Sequence, residues 1–155
     1  MTNRPKNIGT AAETAVVRAA RAHGFGLADR LTLTGALDRG DIGLCPGVVV
    51  EVKGGQAAKT ASDGQIEKWL AETERERVNA GADVAILVTA RAGIGAPNAH
   101  RWWAHWRLSN LVWLQERHVY IPPALVDAPV RLTLAHSLTL LRHAGYGDTP
   151  TPETP

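Results

Sequence analysis

The run Val48-Val49-Val50-Glu51-Val52-Lys53 constrains this chain more than any other six residues. Four valines in six positions favour a strand, because branched side chains fit a pleated surface. Side chains alternate faces along a strand, so Glu51 and Lys53 share one side while Val50 and Val52 share the other. The turn signal Cys45-Pro46-Gly47 precedes the run, and Asp41-Ile42-Gly43-Leu44 precedes the turn, so the two stretches read as a hairpin. Closure at that turn puts Asp41 opposite Glu51 to Lys53, and three charged groups then meet at the end of an apolar hairpin. Burying them is costly unless they are paired or bound to a cation. Two neighbouring carboxylates offer the hard oxygen ligands that Mg²⁺ prefers, and a lysine beside them can orient a water or offset charge on a phosphate. The same residues also suit a plainer structure, an aspartate at a strand start and a Glu/Lys pair on a half-solvated face.

The segments around the hairpin set its context. Thr10-Ala11-Ala12-Glu13 has capping-box spacing and predicts a helix from about Thr10 to His23, stopped by Gly24. Glu13 then lies at the edge of the stripe Val16, Val17 and Ala20, either as the last residue of the cap or as a site carboxylate. Alternation over 26–34 suits a strand, and 54–61 reads as a small-residue loop. Ser62 is the expected N-cap of a second helix reaching Ala80 and stopped by Gly81, with an inner stripe of Ile66, Trp69, Leu70 and Thr73 and an outer face of Glu67, Glu74 and Arg75. Gln65, in its first turn, is either a surface amide or a site residue. The apolar stretch 83–89 predicts a strand buried on both faces. Beyond it, 101–108 and 110–114 read as strands and 131–143 as a helix. The order is helix, three-strand meander, helix, strand, then mixed elements, which is an α/β sandwich.

Length and composition narrow the class. The 155 residues suffice for one domain, expected over 1–148 with its core in 7–90, a basic, Trp-rich part in 91–148 and a disordered Thr/Pro tail in 149–155. Every apolar run is broken by charge well before the ~18 residues a membrane span needs, and no signal-peptide pattern opens the chain, so an intracellular protein is expected. The lone Cys45 has no partner for an internal disulfide and no catalytic neighbour in its turn. The histidines His100, His105, His118, His136 and His143 lack the spacing of a zinc site. Gly93-Ile94-Gly95 lacks the rest of a phosphate-cradling motif.

Taken in order, Gly9-Thr10-Ala11-Ala12-Glu13, His23-Gly24-Phe25, Arg30, Gly40-Asp41-Ile42, Val50-Glu51-Val52-Lys53 and the Gln65 helix leading into Val84 to Thr89 resemble the PD-(D/E)XK nuclease superfamily. Within it the similarity is greatest to the archaeal-type Holliday-junction resolvases and their phage relatives. It covers roughly residues 6–89 and implies a restriction-endonuclease-like αβββαβ core, a mixed central sheet flanked by helices. It also implies a Mg²⁺-dependent phosphodiesterase site, with Mn²⁺ as a substitute ion. Glu13, Asp41, Glu51 and Lys53 map onto that site, and Gln65 onto the extra polar residue some members carry. By the same resemblance Asp41, Glu51, the Val52 carbonyl and Glu13 hold the metal, and Lys53 positions the attacking water. Gly40 stands where the superfamily's name has proline, a departure common in the resolvase branch. The region after about Arg91 has no counterpart.

That region has its own signal. Between Val84 and His143 the bases are Arg91, Arg101, Arg107, Arg117, Arg131 and Arg142, against only Glu116 and Asp127. The formal net charge of +2 therefore averages an acidic helix against a basic half. Trp102, Trp103, Trp106 and Trp113 are interleaved with Arg101, Arg107, His100 and His105. They either stack on bases or wedge into a branched duplex, or Trp103 and its alternate neighbours fill the core or a dimer interface. Arg4, Lys6, Arg30, Arg39, Lys59, Arg101 and Arg107 are the expected DNA contacts. The function implied is a DNA endonuclease, foremost a structure-selective junction resolvase acting as a homodimer with no membrane partner. The alternatives are another nuclease of the superfamily (repair, restriction or exonuclease type) and a non-catalytic DNA-binding or scaffold module.

Overall fold

The computed structural model describes residues 4–32, 36–115 and 119–149. Among the described residues six strands form one mixed sheet in sequence order: β1 (Asp29–Arg30), β2 (Ile42–Cys45), β3 (Val48–Lys53), β4 (Val84–Thr89), β5 (Trp103–Arg107) and β6 (Pro129–Thr133). β3 and β4 run parallel and every other neighbouring pair is antiparallel. The parallel pair needs a crossover, which is helix α3 (Asp63–Ala80) preceded by the short α2 (Gly55–Lys59). Helix α1 (Arg4–Ala22) opens the chain, and α4 (Leu108–Leu114) and α5 (Leu134–His143) complete it. The class is α/β, as expected.

The valine run distributes itself over two layers. Val48, Val50 and Val52 join Ile42, Leu44, Val84, Ile86 and Val88 in the main core with Ala12, Ala15, Val16, Val17 and Ala20 of α1 and Leu134, Leu138 and Leu141 of α5. Val49 belongs to a small separate cluster with Ala82 and Ala85 on the α3 side. Glu51 and Lys53, on the parity of Val49, therefore face α3. All six residues of β4 are buried, as a strand covered on both faces requires.

Helix α3 occupies the expected span. The Ser62 hydroxyl accepts the Gln65 N–H at 3.2 Å, and Gly81 closes the helix in the left-handed conformation.

Several boundaries differ from the sequence expectation. α1 starts at Arg4, not Thr10, because Pro5 suits a first turn and Ile8 continues the helix; Thr10 is internal, its carbonyl accepting the Thr14 hydroxyl at 2.9 Å. Arg4 and Lys6 thus lie in the helix's exposed first turn, and Met1, Thr2 and Asn3 lie outside the described residues. The first strand is limited to Asp29–Arg30, and Leu33, Thr34 and Gly35 lie outside the described residues. The loop expected over 54–61 contains α2. The strand expected over 110–114 is helix α4, whose three-residue steps turn Leu111 and Leu114 to the core. The helix expected over 131–143 divides at Thr133: its first part pairs with β5, and the Thr133 hydroxyl then caps α5 by accepting the His136 N–H at 3.1 Å. Except for Thr149, the Thr/Pro tail lies outside the described residues.

The tryptophans separate by strand parity. Trp102 and Trp106 are core residues, and the fully buried Trp106 indole donates to the fully buried Ser137 hydroxyl at 2.8 Å. Trp103 is not in that core; it projects to the α3 side, and Trp113 is exposed.

Candidate active site

Asp41 stands where β2 begins. Its N–H donates to the Val50 carbonyl at 3.1 Å, its own carbonyl accepts the Leu31 N–H at 2.8 Å, and its Oδ2 accepts the Val52 N–H at 2.8 Å. The carboxylate thus takes over the ladder bond beyond the strand end, which fixes it beside Glu51. Gly40 makes this possible with φ of +95°, a value closed to proline, whose ring holds φ near about −65°. That is the physical reason why glycine rather than proline precedes Asp41 here. The approach loop is tied to α3, since the Asn79 side-chain amide donates to the Asp38 carbonyl at 2.8 Å.

Glu51 is 6% exposed, and its Oε1 accepts from Lys53 Nζ at 2.7 Å. Glu72 of α3 reaches the same Nζ at 3.8 Å, and the ammonium lies 5.8 Å from the centroid of the Trp69 ring. Burial works to lower the Lys53 pKa, but the hydrogen bond to Glu51 and the surrounding carboxylates outweigh it, so the net shift is upward and the lysine stays charged. At the other end of Glu51 is Glu76, also 6% exposed, whose Oε2 is buried without a hydrogen-bond partner.

Asp41, Glu51 and Glu76 are all pushed up to about 7, each foremost by burial. For Asp41 the next cause is the charge of Glu51; the Val52 N–H works in the opposite direction. Lys53 moderates Glu51 while Glu76 raises it, and Asp38 and Asp41 add to the shift of Glu76. Negative charge in this cluster exceeds what Lys53 offsets. Glu51 and Glu76 open on a cleft of about 520 Å³ lined also by Asp38, Lys53, Glu72 and Asn79, among others; Asp41 is not part of its lining.

Of the residues expected in the site, Asp41, Glu51, Val52 and Lys53 are brought together. Glu13 is close enough for its charge to raise Asp41, but its Oε2 is engaged by Arg30 Nε at 2.5 Å. Gln65 lies one turn before Trp69 in α3 and is not part of the cleft lining. Arg4, Lys6, Arg39, Lys59 and Arg101 are exposed. Arg107 is turned into the protein, its Nη1 donating to the Asp127 carbonyl at 2.6 Å and its Nε buried without a partner. Sequence reasoning missed Glu76, Glu72 and Asp38. Three-residue steps from Leu70 through Thr73 lead to Glu76, so the inner stripe of α3 carried that signal.

The donor set suits a hard divalent cation. Two carboxylates and the Val52 carbonyl are the oxygens such an ion takes, and the unpartnered Glu76 oxygen together with three carboxyls held near neutrality marks a site short of positive charge. Among the described residues, no three His, Cys, Asp or Glu side chains form a ready metal cluster. Glu51 interacts with both Asp41 and Glu76, and Asp41 also acts on Glu76 through its charge. No family model matches this chain, and no curated protein or solved structure is significantly similar to it.

Proposed function

We propose that this chain is a metal-dependent endonuclease that hydrolyses DNA phosphodiester bonds, with the four-way junction as its preferred substrate. The observation that carries the reading is the adjacency of Asp41 and Glu51, with Lys53 Nζ 2.7 Å from Glu51 and both Glu51 and Lys53 lining a cleft. The run of elements supports it too: α1, the meander β1–β2–β3, α3, and β4 parallel to β3 follow the order of a restriction-endonuclease-like αβββαβ core.

Asp41, Glu51 and the Val52 carbonyl would hold Mg²⁺, with Glu13 within reach of Asp41. When bound, the ion supplies a Lewis acid for the phosphate and lowers the pKa of a coordinated water. The chain's own groups do the rest. The Val52 N–H fixes the direction of the Asp41 carboxylate. Glu51 and Glu72 hold the Lys53 ammonium, a charged donor for the attacking water or for a phosphate oxygen as negative charge grows there. Paired cuts in a four-way junction call for two sites related by a two-fold axis, so the working form is a homodimer.

Cleavage assays on a four-way junction, a flap, linear duplex and single strand, each with and without Mg²⁺, test the reading. The junction is cut fastest and only with the ion, and Glu51→Ala abolishes cutting. Equal cutting of linear duplex sinks the junction preference alone. Failure to cut any of the four sinks the nuclease and favours a binding or scaffold module.

A further inference from the structure

Strand register carries the site's face across the sheet. Lys53 pairs with Thr89, Thr89 with Trp103 and Trp103 with Thr133; two residues along β5, His105 sits between Leu87 and Arg131. Trp103 and His105 thus face the same side as Lys53, two strands away, or about 10 Å at the usual strand spacing. The Trp103 ring is clamped by two guanidinium groups, with Arg91 3.8 Å and Arg131 4.1 Å from its centroid.

A guanidinium lying flat on an aromatic ring keeps its N–H edge free for an anion. Among the described residues neither arginine forms an ion pair; Arg91 donates one N–H to the Arg101 carbonyl at 3.2 Å. Arg131 and Trp103 wall a second cleft, about 450 Å³, with Lys59, Thr89 and His105 beside them. Asp63 and Glu67 stand on its helix side, so an anionic chain is confined to the sheet side. The distance from Lys53 to Trp103 is about three axial steps of ~3.4 Å along one strand of a duplex.

We propose that this cleft, together with Arg91 against the Trp103 ring at its edge, is the track for the DNA strand leading away from the scissile phosphate, with Arg91 and Arg131 each taking one backbone phosphate. Naming the strand as DNA rests on the nuclease reading; the capture of consecutive phosphates rests on the clamp.

The test is anisotropy of a fluorescein-labelled oligonucleotide and of a labelled four-way junction in EDTA, titrated over a range of salt. Arg91→Gln and Arg131→Gln each weaken binding about tenfold at low salt and flatten the salt dependence by about one ion. Trp103→Leu, which keeps both charges, weakens binding and leaves that slope unchanged. Wild-type affinity and slope in the double arginine variant overturn the track, as does displacement of the oligonucleotide by polyglutamate as readily as by unlabelled DNA, which assigns the cleft to acidic protein. A parent that binds through these arginines yet cuts nothing retains the track and loses the nuclease. A parent that cuts, with variants that bind and cut like it, loses the track and keeps the nuclease.

Discussion

Glu51 and Glu76 meet across the seam between β3 and α3, each 6% exposed, and only Glu51 has a cation against it. A buried carboxyl with one oxygen unpartnered is costly to ionise, and it stands here beside the charges a phosphodiesterase would use.

Glu76→Gln should stabilise the metal-free protein above pH 7 by about 2 kcal/mol and leave it unchanged near pH 4. The sign follows from the raised pKa. The folded Glu76 keeps its proton up to about 7 while the unfolded one releases it near its ordinary value, so the stability that the protonated form contributes is present below the unfolded value and is lost as pH rises through 7. Thermal melts of both proteins in EDTA, from pH 4 to 8, give the difference directly. Added Mg²⁺ should raise the wild-type Tm at pH 8.

His105 acts in the opposite direction. Burial, with Arg131 beside it, lowers its pKa to about 4, and its Nε2 lies 2.9 Å from the Thr89 hydroxyl. Its contribution is present above the ordinary histidine value and is lost as pH falls through 4. NMR titration should find one imidazole that stays neutral at pH 5.

Gly40→Ala should cost about 1–2 kcal/mol, because a side chain at φ +95° is strained, and Gly40→Pro should cost more, since it also removes the N–H given to Asp38 Oδ1. Denaturant unfolding measures the cost. The nuclease reading adds that both variants lose cleavage, because Gly40 sets the direction of Asp41.

Ser137→Ala should cost about 1–3 kcal/mol by leaving the buried Trp106 indole N–H without an acceptor. Chemical denaturation should find it less stable with an unchanged m-value. No change in the midpoint would show that another group takes over the bond.

The hairpin and its charges were legible because the valine run and the Cys45-Pro46-Gly47 turn are short-range signals that tertiary packing reinforces. Ser62 and Gly81 marked α3 for the same reason. Glu76 was passed over because the inner stripe was ended at Thr73, although the next three-residue step along α3 reaches it. Trp103 was misplaced by one step of alternation, which exchanges the two faces of a strand. Residues 108–114 read as a strand because an apolar run that short does not distinguish strand from helix until a neighbour covers it.

The initial rate of four-way junction cleavage, in Mg²⁺ and in EDTA, for the wild type and for Glu51→Gln, tests the central claim most directly. The wild type should cleave in Mg²⁺ alone, and the variant, whose melt shows it folded, should lose at least ~10³-fold in rate. Equal rates for the two proteins, or wild-type cleavage undiminished in EDTA, would contradict it.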